Sequence, residues 1–168
     1  DTMTGVLANQ AMNWFLSGVT PPRVGNAHMN VSPYAVFPTS DGWFILAVGN
    51  DAQFRRFCTV TGLEPRPEWA TNAGRIDHRA RLFAAIETIT RLRARNDLLH
   101  ALEAAGVPAG PINTVAQAFA DPQVIARGMQ IEVLREDGTT LPGLRTPIRF
   151  SDAELMLGRA APLLGKGG

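Results

Sequence analysis

With 168 residues, 45% of them hydrophobic, the chain is long and apolar enough to bury a core, which excludes a disordered segment. Sixteen Lys and Arg against fifteen Asp and Glu leave a formal charge of +1, so no global field draws it to nucleic acid or to an acidic membrane surface. The single cysteine, Cys58, cannot form an internal disulfide, and no His or Cys pair has zinc-ligand spacing. These features predict no metal site and a reducing, cytoplasmic setting.

From Thr2 to Leu16 the apolar residues Met3, Val6, Leu7, Met12, Phe15 and Leu16 predict one helix with a wide apolar face, stopped by Gly18. "GVTPPRVGNAHMN" follows as a loop, because Pro21 and Pro22 lack amide hydrogens and Gly25 and Asn26 tolerate positive φ. Such a loop suits a crossing between domains. "PYAVF", "PTSDG" and "WFILAVG" predict strand, turn and strand; the second is apolar throughout and is expected to be central and buried on both faces. Asn50 or Asp51 can cap the next helix, whose Phe54, Phe57 and Cys58 share a stripe and which Gly62 ends.

A long helix is predicted from about Ile76 to Arg93, with Leu82, Phe83, Ile86 and Ile89 inward. Arg75, Arg79, Arg81, Arg91, Arg93 and Arg95 are expected to be solvent-facing charges. Asn96 is expected to cap "DLLHALEAAG", which ends at Gly106. "VPAGPINT" reads as a rigid turn, Thr114 and Asp121 cap two short helices, and "MQIEVL", "REDGTT" and "LPGLRTPIRF" form a hairpin. The order of elements predicts a mixed α+β chain with a small antiparallel sheet, several helices and a C-terminal hairpin. The first residue is not Met and falls inside an expected helix, and "APLLGKGG" ends without a closing element, so a cut piece of a longer chain is expected.

No G-x-G-x-x-G, P-loop, H-E-x-x-H, nucleophile elbow or CxxC is present. His78 and His100 have no second ligand at metal spacing and are expected to be ordinary surface or half-buried residues, and Cys58 is expected to be a small core residue. The informative feature is the ordered succession of "LANQAMNWFLSGVTPPRVGNAHMNVSPYAVFPTSDGWFILAVGNDAQF", "ATNAGRIDHR", "LEAAGVPAGPINTVAQAFADPQVIARGM" and "APLLG". Together these blocks resemble the C-terminal half of the class III CoA-transferases (CaiB/BaiF), which include formyl-CoA transferase and carnitine CoA-transferase, with the α-methylacyl-CoA racemases as relatives. The resemblance runs from residue 1 to about 165.

The resemblance implies an α/β family fold in which residues 1–30 form a helix and linker leaving a large domain, 31–113 a small domain, and 114–168 a segment returning to the large domain. It implies an interlocked homodimer as the full-length form, acyl-CoA and a carboxylic acid as substrates, and no bound cofactor beyond the coenzyme A thioester consumed. No nucleic acid or membrane partner is expected. In this chemistry an aspartate carboxylate attacks the acyl-CoA thioester, giving a mixed anhydride and freeing the CoA thiolate. That aspartate lies upstream of the matched region; Asp1 matches a later helix, so no catalytic residue is expected in this chain and the chain alone is expected to be inactive.

Gly25, Asn26, Ala27, His28, Met29 and Asn30 match the substrate-binding loop of the family. In formyl-CoA transferase the segment equivalent to "HMNVSP", residues 28–33, is a glycine-rich flap over the reacting carboxylate. Here side chains stand in its place, so a stiffer loop, a narrower pocket and an acid other than formate or oxalate are expected, a dicarboxylate among the candidates. Two roles stand open for His28: contact with a substrate carboxylate, or a hydrogen bond to the loop backbone; for Asn30 the backbone bond is favoured. Asn50 and Asp51 are a candidate active-site rim, although a capping role suffices for Asp51. The racemases carry a glutamate in about this region, and the shorter "GNDAQF" leans towards a transferase. The rival readings are an acyl-CoA racemase or carnitine-dehydratase-like enzyme, and a non-catalytic binding or assembly subunit.

Overall fold

The computed structural model describes residues 1–158, 160 and 161; the "APLLG" block lies outside the described residues from 162 onward. The chain divides into two compact units, Asp1–Ile112 and Asn113–Gly168. Both mix helix and antiparallel sheet, and the described residues hold eight α-helices and five strands. The mixed fold class is as the sequence predicts.

In the first unit β1 (Tyr34–Pro38), β2 (Trp43–Ala47) and β3 (Ala109–Ile112) form an antiparallel sheet in that order. The register pairs Ala35 with Leu46 and Phe37 with Phe44, so one face carries Ala35, Phe37, Phe44 and Leu46, all buried. The aromatic rings continue this packing: Phe37 meets Phe44 at 6.2 Å between centroids and Phe83 edge-on at 4.9 Å. Helices α3 (Asp51–Thr61), α5 (Arg79–Thr90) and α6 (Arg95–Ala104) contribute Phe54, Phe57, Leu82, Ile86, Leu98 and Leu102 to the same core. Each such fully buried side chain is worth about 1.5–3 kcal/mol.

β2 is central, as expected, but only one of its faces is buried; Ile45 and Ala47 are half-buried and Trp43 is exposed. An apolar run alone does not distinguish burial on one face from burial on two. Part of "VPAGPINT", expected as a turn, is instead β3, and Pro111 is tolerated there because an edge strand can lack a donor.

The expected N-terminal helix is two pieces, α1 (Thr2–Gly5) and α2 (Asn9–Ser17), separated at Ala8, whose φ is 43°. Met3, Leu7, Phe15 and Leu16 are exposed, so no packing enforces a continuous helix there. Gly18 ends α2 in the left-handed region, as predicted. The long helix expected from Ile76 is likewise two: α4 (Asn72–Asp77), capped by Thr71, and α5. His78 lies between them, its amide donating to the Gly74 carbonyl at 3.0 Å and its Nδ1 2.9 Å from the same oxygen.

Asn96 does not cap α6. The helix begins at Arg95, two residues before the expected Asp97, and the free amide of Arg95 donates to Asp41 Oδ1 of the β1–β2 turn at 2.8 Å. A tertiary acceptor has replaced the local cap. The same turn is held by the Ser40 amide on the Arg93 carbonyl at 3.0 Å, and the Arg95 guanidinium donates to the Ile112 carbonyl at 2.8 Å.

The second unit holds α7 (Val115–Phe119), α8 (Pro122–Ala126) and a hairpin of β4 (Gln130–Leu134) and β5 (Thr140–Leu144). Thr114 caps α7 and Asp121 caps α8 ahead of Pro122, both as the sequence indicates, and Gln117 completes a reciprocal capping box with Thr114. Gly138, at φ 83°, supplies the turn conformation that a side chain would oppose. Ile131, Val133 and Leu141 share one half-buried face.

The Arg95 amide, helped by the Thr39 hydroxyl, holds the Asp41 carboxyl below its ordinary value of 3.8. A carboxyl depressed in the folded state adds stability above its unfolded value and loses it as pH falls through its folded value. Asp41→Ala is therefore expected to lower Tm at neutral pH, with the gap to wild type shrinking on acidification; thermal unfolding followed against pH checks this.

Candidate functional site

The loop of residues 25–33 makes no helix or strand, and its carbonyls are met by long side-chain donors. Arg79 Nη2 donates to the His28 and Met29 carbonyls at 2.9 and 2.8 Å. Asn72 Nδ2 donates to the Asn30 carbonyl at 2.9 Å while its Oδ1 accepts the Ser32 amide at 3.0 Å. Arg75 Nε donates to the Ser32 carbonyl at 2.6 Å. Asn72, Arg75 and Arg79 recur at helical spacing, which carries all of them to the loop despite the break at His78.

Inside the loop, Asn26 Oδ1 accepts the Val36 amide at 3.1 Å, and the His28 amide donates to the Tyr34 carbonyl at 2.8 Å. The His28 ring stacks on Tyr34, with centroids 5.3 Å apart. Its Nδ1 accepts the Asn30 amide at 3.1 Å, which assigns the proton of the neutral ring to Nε2. His28 therefore makes the backbone bond that the sequence left open, and keeps one N–H donor beyond it. Asn30 forms a reciprocal amide pair with Asn13 of α2, at 3.0 and 2.9 Å, rather than a backbone bond through its side chain. Ala27, His28 and Met29 are partly buried, and Gly25, at φ 64°, turns the chain into the loop.

Arg75 is fully buried. Besides Ser32 it reaches the Trp69 carbonyl through Nη1 at 3.0 Å and Asp51 Oδ1 through Nη2 at 2.7 Å, with its plane 4.6 Å from the Phe54 ring centroid. Asn50 is the cap of α3, accepting the Gln53 amide at 2.9 Å, while Gln53 Oε1 accepts the Gly49 amide at 2.7 Å. Asp51 is thus not the cap but the counter-ion of a buried guanidinium, placed in the first turn where the helix dipole also favours it.

The arginine face expected to be solvent-facing is therefore mixed. Arg81 and Arg91 are exposed, pairing with Glu68 and Glu87. Arg75 and Arg79 are built into the loop support, and Arg93 is half-buried, donating to the Val60 carbonyl at 3.0 Å. Composition hid this, because an arginine satisfied by backbone carbonyls leaves no carboxylate partner in the sequence to signal it. The regular spacing of Asn72, Arg75 and Arg79 in "ATNAGRIDHR" was the available signal.

Cys58 is buried, and burial pushes its thiol up to about 11, which suits a core residue and not a nucleophile. His78 and His100 are exposed. No group of three or more His, Cys, Asp or Glu able to hold a metal occurs among the described residues, and no described helix is long and apolar enough to cross a membrane. An open cleft of about 720 Å³ is lined by Phe54, Cys58, Leu63, Arg66 and Trp69 among others, none of them within residues 25–33.

The family model for CoA-transferase family III matches residues 1–167, and the chain belongs to that family. It is 49% identical over 169 residues to succinate–glutarate CoA-transferase of Agrobacterium fabrum, covering 99% of this chain and 42% of that protein. It is 30% identical to human succinyl-CoA:glutarate CoA-transferase, covering 95% of this chain and 37% of that protein. The crystal structure of a CaiB/BaiF family protein from Brucella suis superposes with a TM-score of 0.81 at 53% identity, over 96% of this chain and 42% of that one. The chain thus spans about two fifths of the length of these relatives.

Arg75→Met removes the donor to two buried carbonyls and to Asp51, and is expected to cost about 3 kcal/mol or more. Arg75→Lys is expected to recover little, since one ammonium cannot span acceptors in three directions. Urea unfolding of the three proteins checks both outcomes.

Proposed function

We propose that this chain is the C-terminal portion of a class III CoA-transferase that moves CoA between short dicarboxylic acids of the succinate and glutarate type. The observation that carries this reading is the 49% identity, across 99% of the chain, to a succinate–glutarate CoA-transferase. On this reading residues 1–30 leave the large domain, 31–113 form the small domain and 114–168 return; the division into compact units between Ile112 and Asn113 supports the second boundary.

The nucleophile is an aspartate outside this chain. Its carboxylate attacks the thioester carbonyl carbon, the C–S bond breaks, and CoA leaves as thiolate while the acyl group stays as a mixed anhydride. The part played by these residues is to form one wall of the acyl site. The loop of Gly25, Asn26, Ala27, His28, Met29 and Asn30 faces the acid, with His28 Nε2–H as a donor to a carboxylate or to the developing oxyanion. Support for this role comes from the tautomer set by Asn30 and from the number of donors that hold the loop still. Asn50 and Asp51 form the rim indirectly: Asp51 neutralises Arg75, and Arg75 holds Ser32 at the loop's end.

The full-length protein is expected to transfer CoA from succinyl-CoA to glutarate and to yield a hydroxamate on its aspartate when hydroxylamine is added during turnover. The 168-residue chain alone is expected to do neither. His28→Ala in the full-length protein is expected to lower kcat/KM for the acceptor roughly tenfold or more. An unchanged kcat/KM for every acceptor would remove His28 from the site.

A further inference from the structure

Two guanidinium groups hold the substrate loop, and they differ in charge balance. Arg75 has a carboxylate at 2.7 Å, so its formal charge is neutralised by Asp51. Among the described residues Arg79 binds only carbonyl oxygens, those of His28 and Met29, and no carboxylate lies within 4.0 Å of it. Its Nε is buried and has no acceptor among the described residues. Carbonyl dipoles satisfy hydrogen bonds but cancel no net charge, and a partly buried charge is screened less than an exposed one. Arg23, in the preceding linker, is exposed, so water and salt screen it.

We propose that Arg79 is a specificity-determining residue: the guanidinium bound to the His28 and Met29 carbonyls, with no neutralising carboxylate among the described residues, selects an acid that bears a second carboxylate. The inference rests on the reading of this loop as the wall of the acyl site in a dicarboxylate CoA-transferase. The chemistry of transfer explains why an unspent cation is useful there. The reacting carboxylate loses its charge on becoming a thioester, whereas the distal carboxylate of a dicarboxylic acid stays anionic both as free acid and as CoA ester. A fixed positive charge near the loop therefore favours a dicarboxylate in both halves of the reaction and gives nothing to a monocarboxylate tail. The CoA moiety is common to all substrates and cannot produce this discrimination.

The test uses the full-length protein with succinyl-CoA at one fixed concentration, so that donor effects cancel in the ratio of kcat/KM for glutarate to that for valerate, the monocarboxylate of the same chain length. Arg79→Gln keeps amide donors and removes the charge; Arg79→Lys keeps the charge and loses the guanidinium's pair of hydrogen bonds to the His28 and Met29 carbonyls. The ratio is expected to fall about tenfold or more in Arg79→Gln and to stay within about threefold of wild type in Arg79→Lys. In the wild type it is expected to fall as salt is raised, a readout that needs no variant.

A ratio unchanged in Arg79→Gln, or lost equally in Arg79→Lys, or insensitive to salt overturns the role of Arg79 while leaving the dicarboxylate reading intact. A wild-type protein that moves no CoA to glutarate overturns both.

Discussion

A guanidinium with no exposed surface is the constraint around which the first unit is arranged. Arg75 could be buried only with its donors satisfied and its charge compensated, and each requirement fixes a different part of the chain. Compensation comes from Asp51, which ties the start of α3 to α4. Satisfaction comes from the carbonyls of Trp69 and Ser32, which tie the turn before α4 and the end of the loop of residues 25–33 to the same point. The Phe54 ring lies against the guanidinium, so the polar node and the apolar core are continuous. Such a node gives little net stability compared with a well-packed apolar replacement, but it specifies geometry, because few arrangements place these acceptors around one planar group.

The loop of residues 25–33 inherits that geometry. A glycine flap would gain its mobility from backbone freedom, whereas here successive carbonyls are held by Arg79, Asn72 and Arg75, and the His28 ring rests on Tyr34. The polar groups that remain are thereby presented from a fixed frame, which is what the acyl-site role proposed for this loop requires. Asp51 is central to this frame although it meets the loop only through Arg75.

Much of the scaffold was legible because its signals are local. The β1–β2 hairpin, the Phe54, Phe57 and Cys58 stripe, the Gly18 and Gly62 stops and the Thr114 and Asp121 caps all follow from residue type and spacing. The errors arose where a tertiary partner outweighed a local preference. Arg95, not Asn96, opens α6 because Asp41 reaches across to its amide; β3 forms in a stretch rich in proline and glycine because β2 offers it an edge. The breaks at Ala8 and His78 lie inside apolar periodicity that gives no sign of them. Of the candidate site, the loop itself was visible as a block of the family pattern, while its support was not. Arginines that bind carbonyls look in sequence like any solvated charge, and only their spacing hinted otherwise.

Amide hydrogen exchange across residues 25–34 tests most directly whether this loop is a pinned wall or a mobile flap. A pinned loop predicts slow exchange at the amides of His28 and Ser32, which donate to the Tyr34 carbonyl and to Asn72 Oδ1, with protection comparable to that of β1. Exchange of both amides at the rate of an open chain, with β1 protected, would contradict the account.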